Sequence, residues 1–410
     1  MPIPLISEID VIGLFILLAV ALVMLRPEIR NAQIWRATVT PLASIIGSGF
    51  LIVAPLLAHI AGSYAAAAML GIALLAFWIG SAVRYNIMQE AHYLANPSQI
   101  GARYLERISS VFLSVAYVIS VAFYIRLLAA FVLNAFGMND PFASNLLASF
   151  VLLFIAAFGY YRGLRGLERL EEYSVTIKLA IIASLLVWLL QHDILHGYNL
   201  SSLHADDMSF WEKLRLLAGI LLVVQGFETS KYLGSVYSAK IRSQTMTRAQ
   251  MIAAFIYIGF VALMLPLMTN LPQGAVSETA LISLIGVVSP LLPPLLVIAA
   301  VMSQFSAAIA DTLSAGGMAS QQSKNRLDER FTYPIIALGA ILLIWSTNIF
   351  ELVSIASRAF AIFYFFQAVL AVHLAFCFET GFARYLAFAR HAALALVMLM
   401  VVIFAKAIEG

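Results

Sequence analysis

Thr38-Val39-Thr40-Pro41-Leu42-Ala43-Ser44-Ile45-Ile46-Gly47-Ser48-Gly49-Phe50 and Leu221-Leu222-Val223-Val224-Gln225-Gly226-Phe227-Glu228 are two apolar runs interrupted near their middles. An interruption there leaves backbone N–H and C=O groups without helical partners. A bilayer tolerates such groups only where they are buried in protein or line a watery cavity. The two runs lie five apolar segments apart, an odd number, so the second crosses in the opposite direction to the first. Broken helices at matching places in two oppositely oriented halves point to a solute site at the interface of an inverted repeat.

Composition supports a membrane setting. The chain is 62% hydrophobic and 11% charged, against roughly 45–50% and 25% in soluble domains. Its net charge of +3 is spread over short loops, so no basic patch argues for nucleic acid. The single cysteine, Cys377, lies in an apolar segment with no His/Cys cluster nearby, which predicts a small buried hydrophobe rather than a disulfide or metal ligand.

About 20 apolar residues span a bilayer. On that rule the chain is expected to be an all-α polytopic membrane protein of about twelve transmembrane helices, at 9–25, 37–60, 62–91, 108–136, 142–160, 171–191, 213–237, 249–270, 291–318, 332–347, 351–378 and 383–406. The first is read as a real helix and not a signal peptide, because Glu8 and Asp10 precede it, Arg26, Arg30 and Arg36 follow it, and no small-residue cleavage site is present. Alternate loops carry the basic residues: Arg26/Arg30/Arg36, Arg103/Arg107, Arg162/Arg165/Arg169, Lys240/Arg242/Arg248, Lys324/Arg326/Arg330 and Arg384/Arg390. The positive-inside rule makes those loops cytoplasmic and places both termini outside a plasma (inner) membrane.

With the spans placed, Ile45-Ile46-Gly47-Ser48-Gly49-Phe50 resembles the GSG signature of the amino acid–polyamine–organocation (APC) superfamily. Gly226-Phe227-Glu228 is similar to the matching interruption in the sixth core helix of that family. Lys240-Ile241-Arg242 to Arg248-Ala249 and Ala315-Gly316-Gly317 to Asn325-Arg326 resemble the regions around its seventh and eighth core helices, although the usual prolines are missing from the former. The resemblance implies the leucine-transporter fold, a 5+5 inverted repeat. Here the repeats would be 37–191 and 213–378, joined by an extracellular loop at 192–212, with accessory segments at 1–36 and 379–410. Family members usually begin at the broken helix, so the extra first helix is a departure.

Ile46, Gly47, Ser48, Gly49 and Phe50, with Gln225, Gly226, Phe227 and Glu228, are the candidate substrate-binding residues. N–H groups opening the helix at Phe50 suit an anionic group, and carbonyls ending the preceding half suit an ammonium. An α-amino acid carries both charges. Close helix packing is the plainer reading of the small residues, and Phe50 and Phe227 are either walls of the site or ordinary packing. A carboxylate in mid-membrane, as at Glu228, is costly unless it is paired or used. Glu228 could pair with Lys231 one turn away, or serve at the site or gate by hydrogen-bonding freed backbone, binding a substrate amine or carrying a proton.

Three residues bear on energy coupling: Lys178, Glu228 and Asp311. The stretch Glu171-Glu172-Tyr173-Ser174-Val175-Thr176-Ile177-Lys178 resembles the fifth core helix of proton-coupled APC transporters, in which a lysine stands where sodium-coupled relatives hold an ion. The alternative is a lysine that snorkels to the nearby interface. Ser303, Ser306, Asp311, Thr312 and Ser314 lie in the eighth core helix without an adjacent hydroxyl pair, so sodium stays the alternative coupling ion. Asp311 is expected to ligate a cation, pair with Lys178 or hydrogen-bond locally. Arg126 and Arg358 need buried partners, helix ties being favoured over a substrate carboxylate; His59 reads as an interfacial histidine, and Glu90 as meeting water or Arg84.

No nucleophile-plus-base set, metal-ligand cluster or phosphate loop stands in the spans or loops. The chain is therefore expected to be no enzyme and to need no cofactor. It is expected to be a secondary transporter of an amino acid or related amine-bearing solute, coupled to a proton. Sodium coupling, another solute (nucleobase, organic cation or inorganic ion), and a channel or sensor on the same fold are the alternatives.

Overall fold

The computed structural model describes residues 8–406 apart from 48, 139, 270–283, 324, 325, 327 and 348. Its described elements are helical: α1 (Glu8–Met24), α2 (Pro27–Arg30), α3 (Gln33–Ile45), α4 (Gly49–Ala61), α5 (Ala65–Ala95), α6 (Ile100–Ala135), α7 (Pro141–His196), α8 (Phe210–Ile220), α9 (Ala239–Met268), α10 (Leu292–Gln322), α11 (Thr332–Ser346), α12 (Ile349–Phe378) and α13 (Gly381–Phe404). A straight helix of 56 residues would be about 84 Å long, far beyond the roughly 30 Å hydrocarbon core. The α7 run turns at Gly163 (φ 64°, ψ −167°), a backbone that glycine alone adopts without strain. It therefore supplies two separate helices.

Among the described residues, eight helical runs are long and apolar enough to cross a membrane. The chain is thus a multi-pass integral membrane protein. The difference from twelve falls at bent and broken segments: Ile52–Ala95 and Pro141–His196 each hold a turn within one run, α1 is shorter, and 213–237 contains no continuous helix.

Polar contacts sort the loops onto two faces. On one, Arg36 meets Glu168 (2.7 Å), Tyr237 meets Glu168 (3.5 Å), Ser235 meets Glu329 (3.1 Å) and Arg242 meets Glu90 (2.7 Å), so the basic loops converge. Elsewhere His59 pairs with Asp206 at 3.2 Å, and the Arg215 side chain donates to the Phe404 carbonyl at 2.9 Å.

In the centre, α3 and the 3-10 turn Phe227–Tyr232 pack on each other and against α9 and α10, with the second half of α7 beside α3 and α10. The helix α6 lies along α10 and α12. The helix α1 docks on the second half of α7: Ser184 donates to the Gly13 carbonyl at 2.6 Å, and a Cβ on Gly13 would lie 2.2 Å from the Trp188 ring. Small residues at such crossings let helix backbones approach, which is how packing holds helices together in lipid. Cys377 is exposed on the last turn of α12, contrary to the buried position expected, because that face of the helix has no neighbour over it.

Candidate functional site

The first half-helix stops because Ile46 leaves helical backbone (φ −85°, ψ 64°), and its last carbonyls lose their intrahelical donors. Side chains from three other helices take them up. Lys178 Nζ donates to the Ala43 carbonyl at 3.0 Å and the Ile46 carbonyl at 2.6 Å. Ser303 Oγ donates to the carbonyls of Ile46 (2.5 Å) and Gly47 (3.1 Å), and the Tyr257 hydroxyl to that of Ile45 (2.9 Å). In this arrangement the carbonyls expected to suit an ammonium are occupied by the protein itself.

The third Lys178 contact is Ser306 Oγ at 2.8 Å. Ser306 directs its own hydroxyl to the Ser303 carbonyl at 3.1 Å, so its oxygen accepts from the lysine. All three N–H bonds of an ammonium are then used. Lys178 is fully buried, and its head points to the break instead of the interface, so the snorkelling alternative does not hold. The Lys178 nitrogen, among oxygens between α3 and α10, stands in the kind of place a hard metal cation would take.

In the second segment, Ser209 caps α8 by accepting from the Glu212 N–H at 3.2 Å. The helix ends at Ile220, gives way to the 3-10 turn Leu221–Val224, and reaches Gly226 at φ 111°. Only a 3-10 turn follows, where a second α-helical half was the simplest expectation. Glu228 Oε2 accepts from the Gly226 N–H (3.0 Å) and the Tyr364 hydroxyl (2.6 Å), while Oε1 is buried without a partner. Phe227 stacks on Tyr364, centroids 5.3 Å apart, and Phe50 packs on Phe260 at 4.3 Å.

The suggested Glu228–Lys231 pair does not form. Lys231 instead holds Glu106 at 2.6 Å and Gln367 Oε1 at 2.9 Å: although a 3-10 turn puts residues three apart on one side, Glu228 is taken by Tyr364 and the Gly226 N–H, and Lys231 by α6 and α12. Asp311 does not pair with Lys178 either; it accepts from Ser44 at 2.8 Å and from Ser120.

The two breaks touch. A Cβ on Gly226 would lie 2.4 Å from Ser44 Oγ, and one on Gly49 2.4 Å from Val223 Cγ1. The Tyr257 hydroxyl is shared between the Ile45 and Val223 carbonyls, the latter at 3.0 Å, so one side chain of α9 bridges both interruptions. The gap lined by Gly47, Phe50, Ser303 and Gln304 is a cavity of about 10 Å³, room for no more than a water. Ile46, Gly47, Gly49, Phe50, Gln225, Gly226, Phe227 and Glu228 are thus gathered in one closed region, whereas Ser48 lies outside the described residues.

A family described as APC superfamily transporter matches residues 27–405. The chain belongs to that superfamily. An uncharacterised protein of Aquifex aeolicus (strain VF5) is 41% identical over 392 residues, 95% of each chain. Among solved structures, a Na+-coupled sialic acid symporter in a substrate-bound outward-open state superposes with TM-score 0.57 at 13% identity, covering 98% of this chain and all of that one. The manganese transporter of Eremococcus coleocola gives TM-score 0.52 at 14% identity, covering 90% of this chain and 86% of the other. These likenesses establish a leucine-transporter-like fold.

Around the centre of this APC transporter, Arg126 makes the helix tie expected of it, while Glu90, Arg84 and Arg358 depart from their expected settings. Glu90 pairs with Arg242 and accepts from Gln321, while Arg84 donates to Gln250 at 2.5 Å, so the Glu90–Arg84 contact is replaced. Arg126 ties α6 to the end of α11 through the carbonyls of Thr347 and Ile344. Arg358 is exposed and makes no helix tie among the described residues. Tyr257, Tyr364, Ser44 and Ser120 do not stand out in the sequence. Their only signal there is a hydroxyl in mid-span, which an apolar helix carries often enough to go unnoticed.

Proposed function

We propose that this APC transporter moves an amino acid or a related amine-bearing solute by alternating access, driven by a proton. The observation that carries the coupling is the Lys178 ammonium held by Ala43, Ile46 and Ser306. When Lys178 is charged, the first break is fastened to α7 and α10. A neutral amine has one donor fewer, so a carbonyl of the break or the Ser306 contact loses its bond, and the two elements are free to part. Proton loading therefore favours the fastened arrangement, and release favours its opening.

The substrate class is supported by the acceptors. Glu228 Oε1, Gln225 Oε1 and Gln304 Oε1 are buried without partners, and a buried acceptor left unpaired costs about 1–3 kcal/mol. An ammonium supplies donors for such a lining once the breaks separate. N–H groups opening α4 at Gly49 would receive a carboxylate. Manganese, the cargo of one structural neighbour, finds no group of three His, Cys, Asp or Glu side chains among the described residues.

Proteoliposomes offered a labelled mixture of the common amino acids test this reading. Saturable, counter-gradient accumulation supports it; passive equilibration alone indicates a channel, and binding without flux a sensor.

A further inference from the structure

A cavity of about 220 Å³ opens on the basic face of the protein, the cytoplasmic one by the positive-inside rule, with Glu171 in its lining. Its charged rim is largely self-satisfied: Arg30 pairs with Glu172 at 3.3 Å and Arg36 with Glu168 at 2.7 Å. Arg165 and Arg169 complete it. Glu171 differs from these. It is fully buried, its Oε2 accepts from the Thr40 hydroxyl at 2.9 Å, and its Oε1 has no partner. No cation lies within ion-pair distance of it among the described residues.

Glu171 stands seven residues before Lys178 on α7, two helical turns and about 10 Å towards the cavity, on the same face. Thr40 and Ala43, the α3 groups that bind the two side chains, are themselves one turn apart. Both side chains therefore line one seam between α3 and α7, the acid at its cavity end and the ammonium at the break. Asp311, beyond Lys178 on α10, is already held by Ser44 and Ser120.

We propose that Glu171 is the proton acceptor that links Lys178 to cytoplasmic water. The inference rests on the proton-coupling reading above. An N–H bond of the ammonium breaks and an O–H bond forms at Glu171 Oε1 through intervening water; Lys178 becomes a neutral amine. The proton then passes from Glu171 to water in the cavity, returning the carboxylate. Lys178 thereby loses a donor at the break just as its proton gains a way out, so release and loosening of the seam are one event.

Glu171→Gln isolates this role, because an amide oxygen still accepts from Thr40 but carries no exchangeable acid. Infrared difference spectra of the full chain in liposomes, acid minus alkaline, need no substrate. The wild type should show the C=O stretch of a protonated carboxyl that Glu171→Gln lacks, that Glu171→Asp retains at a shifted frequency, and whose titration midpoint moves in Lys178→Met. An identical carboxyl band in Glu171→Gln would overturn the proposal. With the labelled amino acid mixture, Glu171→Gln should cut pH-driven accumulation about tenfold or more while keeping equal-pH exchange. A pH-responsive wild type with an equally responsive Glu171→Gln overturns the relay alone. A wild type indifferent to pH overturns the coupling reading itself.

Discussion

The Lys178 ammonium and the Ile46 carbonyl lie 2.6 Å apart, which makes a side chain of α7 the partner of the break in α3. An element of one helix therefore decides how tightly the interrupted helix is held. Lys178→Met keeps the length and apolar stem but leaves the Ala43 carbonyl without this donor, a loss worth about 1–3 kcal/mol, while Ser303 still serves the Ile46 carbonyl. The variant should unfold at lower temperature and lose pH-driven accumulation while still exchanging solute at equal pH. Full pH-driven accumulation by Lys178→Met, measured in proteoliposomes, would refute the coupling role.

Tyr257→Phe removes the hydroxyl shared by Ile45 and Val223 while preserving the ring against Phe50. The two breaks should part more readily, at a cost to the closed arrangement of about 1–3 kcal/mol. Thiol labelling of a cysteine placed at Gln225, with the exposed Cys377 replaced by serine, reports the change. Faster labelling in the Tyr257→Phe background is expected, and an unchanged rate would show that the bridge does not hold the site shut.

Gly226→Ala meets two obstacles, a left-handed backbone and a Cβ 2.4 Å from Ser44 Oγ. Gly49→Val meets Val223 in the same way. Both variants should reach the membrane folded yet fail to close, giving slower exchange than wild type. Wild-type exchange rates in both would remove the breaks from the transport cycle.

Glu228→Gln retains an oxygen for Tyr364 and Gly226 but loses the charge. If Oε1 receives the substrate ammonium, affinity should fall by about 1.5–3 kcal/mol, the range for hydrogen bonds to charged groups, or roughly ten- to a hundredfold. Competition binding measures this. Tyr364→Phe should have a smaller effect and be non-additive with it, since both changes act on one hydrogen-bonded unit.

Much of the fold was legible because membrane helices announce themselves by apolar length, and breaks by small residues in mid-span. Gly47, Gly49 and Gly226 marked the breaks, whereas the place of Lys178 beside the first was implied only by the family resemblance of its stretch, and its spacing alone left snorkelling open. Partner choice was not legible. Whether Glu228 meets Lys231 or Tyr364 depends on which distant side chains, Tyr364, Glu106 and Gln367, reach the turn, and spacing along the chain carries none of that. Glu171 is one acid among several in its stretch, since nothing in the sequence distinguishes it from Glu168 and Glu172. The structure does so by burying Glu171 against Thr40 while its neighbours find arginines.

The central claim is that an ammonium at the first break replaces a coupling metal ion. It is tested most directly by comparing two gradients on the wild-type protein in proteoliposomes. A pH gradient, alkaline inside and with sodium absent, should drive accumulation of the labelled amino acids, and a sodium gradient at equal pH should drive none. Accumulation that requires sodium and ignores pH would contradict the account.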